Sequence, residues 1–89
     1  MTQGSPKLEA SFSTLIMSFG VQAYIGLGLT PHPESGRVEK DRNIAQLNID
    51  FLSVIEQKSK GNLTKEENEL LDQMLNDLRM RFVQTNWGV

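Results

Sequence analysis

The ten residues from 58 to 67 decide the fold of this chain, and they read Lys58-Ser59-Lys60-Gly61-Asn62-Leu63-Thr64-Lys65-Glu66-Glu67. Gly61 can adopt the left-handed backbone conformation that closes a helix C-terminus, and the preceding lysines place positive charge beside the last free carbonyl groups. Thr64 then reads as an N-cap, because its hydroxyl can accept a hydrogen bond from the amide of Glu67 while the Glu67 carboxylate accepts one from the amide of Thr64. We therefore predict a structural hinge formed by Gly61, Thr64 and Glu67.

A helix on each side of this hinge is indicated by apolar residues at helical spacing. Residues 39–60 predict helix two, whose apolar arc contains Ile44, Ala45, Leu47, Ile49, Phe51, Leu52, Val54 and Ile55. Asn48 falls near the centre of that arc, so we expect its side chain to be buried and hydrogen-bonded. Residues 65–83 predict helix three, with one stripe formed by Leu70, Leu71, Met74, Leu75, Leu78 and Phe82. The two helices are expected to form an antiparallel hairpin.

A further helix is predicted over residues 11–29, and it is apolar over most of its circumference. Only Thr14, Ser18 and Gln22 form a narrow polar stripe, and residues 12–29 carry no charge. Residues 1–10 read as a polar leader and 84–89 as a C-terminal tail. The chain has no alternating strand pattern, so we predict a single all-α domain of three helices.

Helix one is too apolar to be covered by helices two and three alone, so a second chain is expected to cover the rest. We predict a dimeric helical bundle, or a higher oligomer, with helix one at the interface. The predicted interface residues are Phe12, Ile16, Phe19, Gly20, Ala23, Tyr24 and Leu27.

Composition excludes several classes of function. The chain has 89 residues, a net charge of −2 and no cysteine, which argues against a phosphate-binding surface, a disulfide framework and a zinc-thiolate site. No basic run precedes the first apolar segment, so a secretory signal is not expected. We expect a cytoplasmic protein that does not bind nucleic acid.

The chain offers no combination of residues typical of a catalytic or metal site. His32 lies between two prolines without neighbouring ligands, and Asp50 has no second titratable group at defined spacing. Gly26-x-Gly28 lacks the context of a phosphate loop. The basic cluster of Arg37, Lys40 and Arg42 is balanced by adjacent acids, and the acids at the start of helix three suit the helix dipole. Trp87 is expected to dock on its own domain.

Several segments together resemble a bacterial domain of unknown function, DUF1844. They are Phe12-Ser13-Thr14-Leu15-Ile16, Gln22-Ala23, Ile49-Asp50-Phe51-Leu52, Lys58 to Thr64, Leu70-Leu71 and Leu78-Arg79. The Lys-Gly-Asn-Leu-Thr hinge is the most specific of them. The departures are Ser59, where the family usually has Thr, and Phe82, where Tyr is common. The resemblance implies a small soluble bacterial protein and no known activity, cofactor or catalytic residue.

These observations favour a non-enzymatic homodimer that binds another macromolecule, needs no cofactor and has an unknown protein partner. One alternative is a membrane-associated protein anchored through residues 12–29, since an uncharged apolar segment of that length nearly spans a bilayer. Another is an RNA- or ribosome-associated accessory protein, which requires the basic residues to converge in the fold.

Overall fold

The computed structural model describes residues 9–88 and confirms the all-α class, with three helices and no strand in that range. Helix α1 spans Phe12–Gly26, α2 spans Arg42–Lys58 and α3 spans Lys65–Gln84. Residues 1–8 of the predicted leader and residue 89 of the predicted tail lie outside the described residues.

Two of the helices are shorter than the sequence pattern predicted, and local backbone chemistry explains why. Helix α1 ends at Gly26 because Gly28 takes φ +78°, which turns the chain out of the helix. Helix α2 begins only at Arg42, because the carboxylate of Asp41 caps it by accepting from the amide of Ile44 at 3.1 Å. Residues 27–41 form the connection between α1 and α2, which contains the turn closed by Gly36.

The hinge between α2 and α3 contains both of the local devices that residues 58–67 suggest. Gly61 has φ +83°, the left-handed region that favours glycine. The amide of Glu67 donates to Thr64 Oγ1 at 3.1 Å, and the amide of Thr64 donates to Glu67 Oε1 at 2.9 Å. This reciprocal pair satisfies two amides that the first turn of α3 would otherwise leave free.

Removing either hinge device should reduce stability without changing the fold. Thr64→Ala should lower the free energy of unfolding by about 1 kcal/mol through loss of the cap. Gly61→Ala should also cost about 1 kcal/mol because of its positive φ, although a Cβ there meets no atom within 4 Å. Urea melts measure both changes, and two variants as stable as the native chain would contradict the capping argument.

A single core lies between the three helices. Its buried side chains are Ile16, Ala23, Leu27, Ala45, Ile49, Leu52, Leu71, Leu75 and Leu78. Helix α1 packs more extensively on α2 than on α3. Arg79 of α3 reaches α2 through a 2.8 Å hydrogen bond to the hydroxyl of Ser53. The antiparallel arrangement of α2 and α3 stays a prediction.

Candidate interaction surface

The side of α1 that the sequence assigned to a dimer interface is mostly occupied within one chain. Ile16 and Ala23 are fully buried and Leu27 is 2% exposed, all three in the core. Gly20 is also buried, because the side chain of Met74 packs directly against it. These four positions are therefore not available to a second copy, which corrects the interface drawn from the sequence. Phe12, Phe19 and Tyr24 are half-buried at the edge of the core.

Another apolar surface is left uncovered on α1 and α2, and its centre is an aromatic pair. The rings of Phe19 on α1 and Phe51 on α2 lie 5.2 Å apart between centroids and are tilted by 50°. On α2, Phe51 continues a row at spacings of three and four residues, and on α1 Leu15 lies one turn before Phe19. We call this surface the α1–α2 apolar face; it consists of Leu15, Phe19, Ile44, Leu47, Phe51 and Val54.

The exposed area of the apolar face can be estimated from its side chains. Apart from the half-buried Phe19, its side chains are between 38% and 51% exposed. Taking about 180 Å² for a large apolar side chain, they leave about 400 Å² of apolar surface in water. The largest apolar patch on a typical soluble monomer is about 300–600 Å² and is often functional.

Only part of the apolar arc predicted for α2 faces the core. The predicted arc was wider than one face, and only the part containing Ala45, Asn48, Ile49 and Leu52 is buried against α1 and α3. Asn48 is 7% exposed, and its side-chain amide donates to the carbonyl of Ile44 in its own helix at 2.9 Å. Asn48 is therefore buried within the single chain and is not part of the α1–α2 apolar face.

Tyr24 belongs to a polar cluster that ties α1 to α3. Its hydroxyl donates to Asp77 Oδ2 at 2.5 Å, and Arg81 Nε donates to both carboxylate oxygens of Asp77 at 3.0 and 2.9 Å. Burial, and then the hydrogen bond to Asp77, raises the pKa of Tyr24 from 10.0 to about 12. The hydrogen bonds from Tyr24 and then from Arg81 lower the pKa of Asp77 below 3.8.

Alkaline titration should detect this cluster directly, because Tyr24 is the only tyrosine in the sequence. In the folded protein, the absorbance of the phenolate should have its midpoint near pH 12 rather than near pH 10. Since the folded state favours the neutral phenol, its contribution to stability is complete below about pH 10 and is lost as the pH rises towards 12. Asp77→Asn should move the midpoint back towards 10. A native midpoint of 10 would contradict the assignment.

The three residues of the basic cluster, Arg37, Lys40 and Arg42, each contact a different group. Arg37 pairs with Glu39 at 3.0 Å, and the ammonium of Lys40 donates to the carbonyl of Asn86 at 2.8 Å. The guanidinium of Arg42 lies over the ring of Phe82, 5.6 Å from its centroid. Each cation thus has a different partner.

The other residues considered from the sequence lie in local structural contacts. His32 Nδ1 accepts from the amide of Glu34 at 3.4 Å within the turn, and Asp50 accepts from the side chain of Gln46 at 2.9 Å. Within residues 9–88, no group of three potential ligands is placed to hold a metal ion. Trp87 folds back, and its indole N–H donates to the carbonyl of Phe82 at 3.1 Å.

The membrane alternative depended on the length of the first apolar segment. In the structure that segment forms a helix of 15 residues followed by a turn. Over the described part of the chain, none of the helices is both long and apolar enough to cross a bilayer.

Comparisons with known proteins identify one family, whose function is unknown. Searches of curated proteins and of solved structures found no match to the chain. The family described as Domain of unknown function (DUF1844) matches residues 9–84, which include all three helices. The chain therefore belongs to the DUF1844 family.

Proposed function

We propose that this protein is a non-enzymatic interaction module that forms a homodimer through the α1–α2 apolar face. The observation that carries the proposal is the row Ile44, Leu47, Phe51 and Val54 on α2, which is uncovered and joined to α1 through the Phe19–Phe51 ring contact. Its spacing of three, four and three residues is that of a seam between packed helices.

The size of the apolar face supports a second copy as its occupant. A standard interface buries about 800 Å² on each partner, of which slightly more than half is apolar. The roughly 400 Å² left uncovered on one chain is therefore close to the apolar share that a stable dimer needs. A two-fold axis places the same patch on both copies, so one face can cover itself.

The charges around the face also favour self-association. Helix α1 contains no charged residue, so two copies can approach along it without burying an unpaired charge. Near the row on α2 the charged residues are Asp50 and Lys58, which are exposed. Their opposite signs allow the rim of a two-fold interface to be neutral overall.

The non-enzymatic part of the proposal is supported by what the polar side chains do. Within residues 9–88, the tyrosine hydroxyl contacts a carboxylate, the histidine nitrogen closes a turn, and Asp41 and Thr64 cap helices. Each of these groups has a structural partner. A catalytic site instead needs a nucleophile, acid or base whose partner orients it towards a bound substrate.

A matched pair of charge substitutions tests the dimer. In gel filtration with light scattering, the native protein at tens of micromolar should show twice the chain mass of 10.0 kDa. Phe51→Glu should give the mass of one chain while keeping its helical circular dichroism, because Phe51 is 41% exposed in the single chain. The control is Val83→Glu on α3, where the valine is 79% exposed and outside the face, and it should stay dimeric.

Thermal melts add a second measurement. A dimer gives a Tm that rises with protein concentration, and this dependence should disappear in Phe51→Glu but persist in Val83→Glu. A native chain that is monomeric at hundreds of micromolar, or a Phe51→Glu variant that remains dimeric, would refute the proposal.

A further inference from the structure

Ile25 is buried on the side of α1 that faces away from the core. It is 6% exposed, yet it lies nine residues after the core residue Ile16, which is about half a turn round the helix axis. It is not part of the core cluster. A cavity of about 230 Å³ adjoins it and is lined on the other side by His32, Glu39 and Lys40. The connection between α1 and α2 therefore covers Ile25.

The side chain of Lys40 makes two contacts that hold this connection in place, one through its stem and one through its ammonium group. Its stem lies against Gly28, where a Cβ would come within 2.8 Å of Lys40 Cγ. Its ammonium reaches the carbonyl of Asn86, 46 residues further along the chain, at 2.8 Å. The adjacent amide of Asp41 donates to the carbonyl of Gly26 at 2.8 Å and closes the connection onto the end of α1.

Residues 86–88 fold back onto the end of α3, although α3 is already capped without them. The hydroxyl of Thr85 already caps the last turn by donating to the carbonyl of Arg81 at 2.6 Å. Beyond it, the ring of Trp87 packs on Phe82 with centroids 5.1 Å apart, and the amide of Gly88 donates to Asn86 Oδ1 at 3.1 Å. The fold-back positions the carbonyl of Asn86 for Lys40.

We propose that residues 86–88 act with Lys40 as a latch that keeps the connection closed over Ile25. When Trp87 leaves Phe82, the carbonyl of Asn86 moves away from Lys40, and the connection can open to expose Ile25 and the cavity beside it. The latch depends on the solvent-exposed hydrogen bond from Lys40 to Asn86 and on the half-buried Trp87, which contacts Phe82 through its ring and its indole N–H. Such contacts can open locally while a core stays folded. Ile44 of the α1–α2 apolar face also lines this cavity, but the latch contacts of Lys40, Asn86 and Trp87 lie outside that face.

Lys40→Met in the full chain tests the latch. Methionine keeps an apolar stem over Gly28 but removes the ammonium. The control is Arg37→Met, which removes the exposed ion pair with Glu39 from the same connection. Hydrogen exchange reports on the connection through the amides of His32 and Gly36, which donate to carbonyls within it, and of Asp41, which donates to the end of α1. Trp87, the only tryptophan in the sequence, reports on the tail by its fluorescence.

In Lys40→Met we expect these amides to exchange several-fold faster and the Trp87 emission to shift to the red, with exchange in the middle of α3 unchanged. Arg37→Met should leave both signals as in the native chain. Trp87→Ala should accelerate the same amides although Lys40 is intact. Unchanged exchange in both Lys40→Met and Trp87→Ala, or an equal acceleration in all three helices, would overturn the latch.

Discussion

Ala23→Glu should abolish the folded state of this protein. Ala23 is fully buried between the helices, so a glutamate there would place an uncompensated carboxylate and one further methylene group in a closed core. The cost exceeds about 4 kcal/mol, which is comparable to the whole free energy of unfolding of a domain of this size. Circular dichroism should show loss of helix at room temperature and no cooperative melt.

Val21→Glu is the matched control, because it places the same charge on the same helix two residues away. Val21 is 43% exposed, so its carboxylate can remain in water, and the variant should melt cooperatively near the native Tm. An Ala23→Glu chain that melts like Val21→Glu would show that this side of α1 is not the core.

Ala23 and Val21 also mark the point at which the sequence alone could not predict the packing of α1. The number of helices and the hinge were predictable because local signals determine them, namely a left-handed glycine, a capping box and apolar periodicity. The orientation of α1 was not predictable, because Ile16 and Ala23 on one side and Met17 and Val21 on the other are all apolar. Periodicity cannot choose between two apolar sides, so the sequence assigned core positions to an interface.

Helix α2 was ambiguous for a related reason. Its apolar residues span an arc wider than one neighbouring helix can cover, and the buried part could have been centred on Leu52 or on Phe51. The structure buries Leu52 completely and leaves Phe51 41% exposed. The candidate interaction surface is thus the part of the arc that the core does not use, and only the packing of three helices reveals it.

Contacts between residues far apart in sequence were also missed. The hydrogen bond from Tyr24 to Asp77 spans 53 positions and that from Lys40 to Asn86 spans 46. A single sequence gives no signal for such pairs, since neither residue type nor local spacing links positions so far apart. The polar tie between α1 and α3 therefore had no sequence-based prediction.

Gly26→Ala is the second substitution for which we expect a large effect. A Cβ at Gly26 would lie 2.6 Å from the backbone nitrogen of Ala45 and 3.0 Å from the carbonyl oxygen of Asp41. Both atoms belong to the first turn of α2 or its cap, so neither can move without shifting that helix. Because the added methyl group has no space, the variant should lose about 3 kcal/mol, at the upper end of overpacking costs. That loss corresponds to a fall in Tm of about 10–20 °C.

Gly20→Ala separates this backbone clash from the general effect of adding a methyl group to α1. The atoms that a Cβ at Gly20 would meet belong to the end of the Met74 side chain, including Cε at 2.9 Å. Methionine is flexible and can take another rotamer, and alanine gains about 1 kcal/mol of helix propensity over glycine. Gly20→Ala should therefore melt within a few degrees of the native chain. The added Cβ would meet backbone atoms at Gly26 but only side-chain atoms at Gly20. Equal losses of stability in the two variants would therefore contradict the close approach of α1 and α2 at Gly26.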